Sequence, residues 1–238
     1  LGELTLDMAH PEGEIQNYKR ALELEKALSR LEYSAGEINY TREMFISAPD
    51  QVIVMHISAD RPGMVSLKAG FSCQLRAGVS IEENRMILDG IAPSQVDPSY
   101  IDSPDPVIYE DDPEKKGMQF CAVLEIDSEG GEMKRLPEGL EVIHADSVTL
   151  FLAARTSFNG PFRHPFLEGR PYKEPCFAEL QAAREKGYDR LLERHIEEYQ
   201  QYFNRVSMDL GPGREELPVP ERLADWDKDV DPARFTLL

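Results

Sequence analysis

A change of period near Pro175 constrains this chain more than any other feature. Before it, short apolar runs alternate with turn residues. After it, apolar side chains recur every three or four positions. In the first stretch Leu31–Ser34 and Glu37–Ile46 flank Ala35-Gly36, a short turn signal, and Pro49-Asp50 turns the chain into Val52–Ile57. Asp60-Arg61-Pro62-Gly63 leads into Met64–Phe71, and Arg85–Leu88, Gln119–Ile126 and Ser147–Ala154 follow. Strand-length runs with turn chemistry between them predict an antiparallel sandwich. The run Val148–Ala154 is apolar at successive positions, so it predicts a central strand buried on both faces.

Two segments break this rhythm. Ala92–Lys116 holds Asp97-Pro98, Ser103-Pro104 and Asp105-Pro106 and reads as a long irregular loop, and Asn159–Pro175 reads as a second. Glu14–Lys26 is ambiguous, because Tyr18, Leu22 and Leu24 suit either a helix or an edge strand. Pro175 fits the first turn of a helix. Phe177–Lys186 predicts a short helix broken at Gly187. Beyond it Tyr188, Leu191, Leu192, His195, Ile196, Tyr199, Phe203 and Val206 form one apolar stripe, expected to bury against another domain. Met208–Pro212 is expected to end that helix, Leu217–Leu223 to be a proline-stiffened linker, and Asp231-Pro232 to open another helix. The predicted organisation is a mainly β chain: a partial antiparallel β super-sandwich over 1–160, a helical linker over 161–225 with helices about 175–206, and the start of a further domain over 226–238. Leu1 opens inside a strand-like phrase and Leu238 closes an apolar one, so both ends are expected to be cuts through a longer structure.

Charge narrows the function. A formal net charge of −18 lacks the positive footprint that nucleic acid or an anionic membrane requires. No apolar run reaches the ~18 residues of a spanning helix. Cys73, Cys121 and Cys176 give neither an even disulfide framework nor a C-x-x-C motif, so buried, reduced thiols and a cytoplasmic setting are expected. The five histidines, His10, His56, His144, His164 and His195, form no metal-ligand pattern, and no phosphate loop or nucleophile elbow is present. Glu110-Asp111-Asp112 and Glu197-Glu198 cluster carboxylates. A glycosidase, however, needs two carboxyl groups facing each other across a sugar, about 5–9.5 Å apart, and neighbours on a loop or helix point apart. His195 reads as a packed histidine beside the apolar stripe and Trp226 as an anchor rather than a sugar platform. Arg155–Phe158 suits either a domain interface or a structural turn.

Several phrases, in order, resemble glycoside hydrolase family 95. They are Tyr18–Leu24, Tyr40–Ser47, Gly90–Pro98, Lys116–Phe120, Ala145–Ser157, His195–Val206, Pro218–Leu223 and Asp231–Ala233. Arg155 departs from the small residue usual there. The resemblance favours strand for Tyr18–Leu24. It implies a super-sandwich, a helical linker and then an (α/α)6 barrel, in a bacterial enzyme that hydrolyses terminal α-L-fucosides with inversion and without metal or cofactor. The acid glutamate, and the aspartate and asparagines that serve the attacking water, would all lie on the barrel beyond Leu238. No catalytic, cofactor-binding or metal role therefore falls on a residue of this chain. A fucosylated oligosaccharide would bind through the barrel, and the linker helix would pack on it. Two alternatives remain: a non-catalytic carbohydrate-binding or structural module, and a parent enzyme acting on α-L-galactosides.

Overall fold

The computed structural model describes residues 2–207, 211, 213, 214 and 217–224. The chain divides into two compact units, Leu1–Glu198 and Tyr199–Leu238. The strands of the first unit are β1 (Glu3–Ala9), β2 (Ile15–Glu23), β3 (Leu28–Ala35), β4 (Ile38–Ser47), β5 (Val52–Ala59), β6 (Val65–Ser72), β7 (Arg76–Glu82) and β8 (Arg85–Ile91). Two short strands, β9 (Gln95–Val96) and β10 (Val107–Ile108), precede β11 (Gln119–Glu129), β12 (Glu132–Leu136), β13 (Gly139–Ala145) and β14 (Ser147–Thr156). A long helix, α1 (Lys173–Phe203), runs from the first unit into the second, and α2 (Val219–Ala224) lies in the second.

The expected sandwich is present. An eight-stranded sheet of order β2-β3-β4-β5-β14-β11-β8-β7 faces a four-stranded one of order β1-β6-β13-β12. Every pairing is antiparallel. The chain crosses between sheets at Gly130-Gly131, where both residues have positive φ. A Cβ on Gly131 would stand 2.5 Å from the Ile143 carbonyl oxygen, so only glycine fits that crossing. Val65, Leu67, Met86, Leu124, Ile126, Leu140, Val142, Val148 and Leu150 fill the space between the sheets.

A second core lies on the other face of the eight-stranded sheet. There Phe45, Val54, Cys121, Val123, Phe151 and Ala153 pack against Cys176, Leu180, Ala183 and Leu191 of α1. Strand β14 sits between β5 and β11 and feeds both cores, Val148 and Leu150 one way and Phe151 and Ala153 the other. That is the burial its apolar run predicts.

Several sequence expectations change in detail. Tyr18–Glu23 is strand, within β2, with Leu24 in the turn that follows, and the edge position leaves Tyr18 and Leu22 each 61% exposed. The Ala92–Lys116 loop contains the β9/β10 ribbon. Helix α1 starts at Lys173 and breaks where expected, at Gly187 (φ 74°, ψ 168°). The apolar stripe is not a free face along its length. Tyr188, Leu191 and Leu192 pack on the second core and His195 is buried, because the sheet face beneath them is itself apolar. The supposed linker at Leu217–Leu223 holds α2. Pro220 falls in its first turn, where proline's fixed φ is compatible with helix, and the amides of Glu221 and Arg222 donate to the Pro218 carbonyl at 3.0 and 3.1 Å. Trp226, the Asp231-Pro232 helix start, the 226–238 segment and most of the Met208–Pro212 stop lie outside the described residues.

Candidate functional site

A polar concavity of the first unit opens on the α1 side of the eight-stranded sheet, with a volume of about 770 Å³. Adjacent strands β3, β4, β5, β14 and β11 form its floor, and the chain around Gly187 forms one wall. Alternation along the strands puts Glu43, His56 and Thr149 on this face, because their neighbours Met55, Val148 and Leu150 are committed to the inter-sheet core.

Four strands and the helix meet in one group of hydrogen-bonded and stacked side chains. Tyr188 donates its hydroxyl to Glu43 Oε2 at 2.6 Å, and Arg30 donates from Nη1 to Glu43 Oε1 at 3.1 Å. The His56 ring stacks on Tyr188 at 4.4 Å, with Nδ1 2.9 Å from Thr149 Oγ1. Burial, then the hydrogen bond to Glu43, raises the Tyr188 phenol above its ordinary range. Burial lowers His56 below the usual histidine value, although the Glu43 carboxylate pulls the other way.

Further along the helix, Asp50 is buried and holds the second piece of α1. Ser47 Oγ donates to it at 2.8 Å, Arg194 Nε at 3.2 Å, and Lys186 Nζ stands 3.4 Å away. Burial would push this carboxyl up, but the hydrogen bonds from Ser47 and Arg194, with the charges of Arg194 and Lys186, outweigh it and hold the carboxyl low. His195, expected to be packed, lies against Phe45 at 4.9 Å, with Nε2 2.9 Å from the Lys26 carbonyl oxygen.

Sequence reasoning named none of Glu43, Tyr188 or His56 as a group. Their separations hid them: Glu43 and Tyr188 are 145 residues apart. The residues it did weigh are scattered. Glu110, Asp111, Asp112 and Glu197 are exposed and Glu198 is half-buried. His164 Nε2 contacts the Glu114 carbonyl oxygen at 2.9 Å, which ties the two long loops together. Arg155 forms an ion pair with Glu179 of α1, and Ser157 Oγ bridges the Gln119 amide and the Pro165 carbonyl, so Arg155–Phe158 works as a structural turn. Among the described residues no three His, Cys, Asp or Glu side chains are grouped so that they could hold a metal.

The cavity can bind through polar contacts, and several of its carboxylates are already hydrogen-bonded. Glu43 is committed to Arg30 and Tyr188, Glu129 accepts from Ser147 and Asp127 from Arg184.

Comparison with known proteins adds relatives. The model of the family "Glycosyl hydrolase family 65, N-terminal domain" matches residues 1–161. The chain is 32% identical over 253 residues to "Alpha-L-fucosidase 2" of Arabidopsis thaliana, with all of this chain and 30% of that protein covered. It is 27% identical over 257 residues to "Probable alpha-fucosidase A" of Aspergillus niger, with all of this chain and 29% of that protein covered. The chain thus spans about 30% of the length of these relatives. A solved structure with a provisional kojibiose phosphorylase assignment, from the human microbiome, superposes with a TM-score of 0.55 at 10% identity, over 83% of this chain and 27% of that one. At that identity the likeness concerns the fold alone.

Proposed function

From the premise that this chain belongs to the glycosyl hydrolase family 65 N-terminal domain family, we propose that it is the non-catalytic N-terminal domain and linker of a family 95-type glycoside hydrolase. The parent enzyme removes terminal α-L-fucosyl residues with inversion, using a general acid and base carried elsewhere in the protein. One observation carries this reading. Two relatives named for fucosidase activity align with the whole of this chain, while the chain covers about 30% of each. The hydrogen bonds that Glu43 accepts from Tyr188 and Arg30 in the cavity support the division of labour, since inversion needs an acid and a base free to exchange protons across a substrate. In this reading the β-domain contributes a rigid scaffold, α1 links it to the catalytic part, and a fucosylated oligosaccharide binds in that part.

The test pairs the isolated 238-residue chain with its full-length parent on an aryl α-L-fucoside. The parent is expected to release fucose, first seen by proton NMR as the β-anomer, and the isolated chain to release none. Fucose release by the isolated chain would overturn the non-catalytic assignment. A parent active on aryl α-L-galactoside but silent on the fucoside would overturn the sugar assignment, and first appearance of the α-anomer would overturn inversion.

A further inference from the structure

Cys121 and Cys176 are 55 residues apart in sequence, yet their sulfurs stand 3.5 Å apart. Cys121 lies on the α1 face of β11, and Cys176 lies in the first turn of α1. Both are fully buried, and both are reduced. A small clasp roofs them. The Cys121 thiol donates to the Tyr172 carbonyl at 3.4 Å. The Tyr172 hydroxyl and Lys173 Nζ both bond Asp89 of β8, at 3.2 and 2.7 Å. Outside the clasp, Gly169–Glu174 line a surface hollow of about 590 Å³.

We propose that Cys121 and Cys176 are a disulfide-forming pair, oxidised by a small-molecule disulfide, and that the bond staples the first turn of α1 to β11. Two sulfurs in van der Waals contact need to close by only about 1.5 Å to reach bonding distance. One sulfur of the pair is suited to attack, because the hydrogen bond from Cys176 lowers the Cys121 thiol below its ordinary value. The Cys121 thiolate attacks one sulfur of the small disulfide. The S–S bond breaks, one small thiolate leaves, and a mixed disulfide remains on Cys121. Cys176, losing its proton, attacks the Cys121 sulfur and expels the second small thiolate. Two cysteine thiols are oxidised, one small disulfide is reduced to two thiols, and the two cysteine protons end on those thiols. The clasp at Tyr172–Lys173 must lift for the reagent to enter from the hollow, so the reaction should be slow and should speed up when the clasp is weakened.

The experiment incubates the full chain with oxidised glutathione, quenches with iodoacetamide and maps the peptides by mass. The expected product carries a Cys121–Cys176 cross-link, the intact chain having lost two hydrogens. Its melting temperature is expected to rise by roughly 5–10 °C, an effect dithiothreitol reverses, because the cross-link closes a loop of 55 residues. In Cys176→Ser the cross-link and the rise are expected to vanish. Should that variant fail to fold, the peptide map of the unaltered chain decides alone. Full alkylation of Cys121 and Cys176 after oxidation, or modification confined to Cys73, overturns the proposal. A cross-link with an unchanged or lower melting temperature overturns the staple. Asp89→Asn is expected to speed cross-linking several-fold by loosening the clasp.

Discussion

At the scale of single residues, the α1 side of the sheet is governed by buried polar groups whose partners come from distant elements. Asp50 and His56 give the acid limb of stability its shape. His56 has a folded pKa below its unfolded one, so the unfolded chain binds the proton more readily. Stability is therefore lost as pH falls below the unfolded histidine value, about 6.5, toward the lower folded value. Asp50 is likewise depressed in the fold. Its contribution is present above the unfolded carboxylate value and is lost as pH falls from there through the folded value. Two steps are expected in urea stability measured against pH. His56→Gln should shrink the upper step, to which His10 also contributes, and Asp50→Asn the lower one, which Asp50 shares with other depressed carboxyls. At neutral pH Asp50→Asn should also cost about 2–3 kcal/mol, because Arg194 and Lys186 lose their buried counter-charge. An unchanged pH profile in both variants would sink this account. Gly187 carries a different constraint. A Cβ there meets nothing within 4 Å, yet φ 74° with ψ 168° belongs to a region that only glycine enters freely. Gly187→Ala is expected to cost about 1–3 kcal/mol through the backbone alone. Equal urea midpoints for the two proteins would contradict that.

At the scale of elements, α1 changes character along its length. Leu191 of the apolar stripe is buried, whereas Val206, its last member, is 80% exposed. One apolar stripe on a helical wheel therefore has unequal energetic value along the chain. Leu191→Asp is expected to destabilise by at least about 3 kcal/mol, since it places an unpaired charge in an apolar core. Val206→Asp is expected to stay within about 0.5 kcal/mol of the unaltered chain. Chemical denaturation of both measures the difference, and equal effects would show that the stripe is used uniformly. Strand β2 shows the opposite limit. Its residues are exposed on both faces at a sheet edge, so no alternation marks it and periodicity could not tell it from helix.

At the scale of the molecule, the first unit depends on two cores that share one sheet. The family match ends at residue 161, before α1 begins, although α1 covers Phe45, Val54, Val123 and Phe151. Residues 1–161 expressed alone are expected to expose that face, to bind an anilinonaphthalene dye strongly and to self-associate, as a large uncovered apolar patch does. A monomeric, dye-silent fragment with a sharp melting transition would show that the sandwich core suffices without the helix.

Much of this architecture is legible in the chain alone. Strand runs and turn residues specify an antiparallel sandwich, because side-chain alternation and positive-φ glycines are local properties of sequence. The doubly apolar run Val148–Ala154 marks the centre of the larger sheet, and Pro175 and Gly187 mark the start and the break of α1, for the same reason. Prolines misled at Leu217–Leu223, since a proline in the first turn of α2 reads the same as one in an extended linker. Tertiary structure alone decided which partners meet: Glu43 with Tyr188, Asp50 with Arg194, and Cys121 with Cys176. Those contacts join residues 145, 144 and 55 positions apart. Local periodicity states which way a side chain points. It carries no information about what the rest of the chain places opposite, and only the packing of α1 on the eight-stranded sheet supplies that.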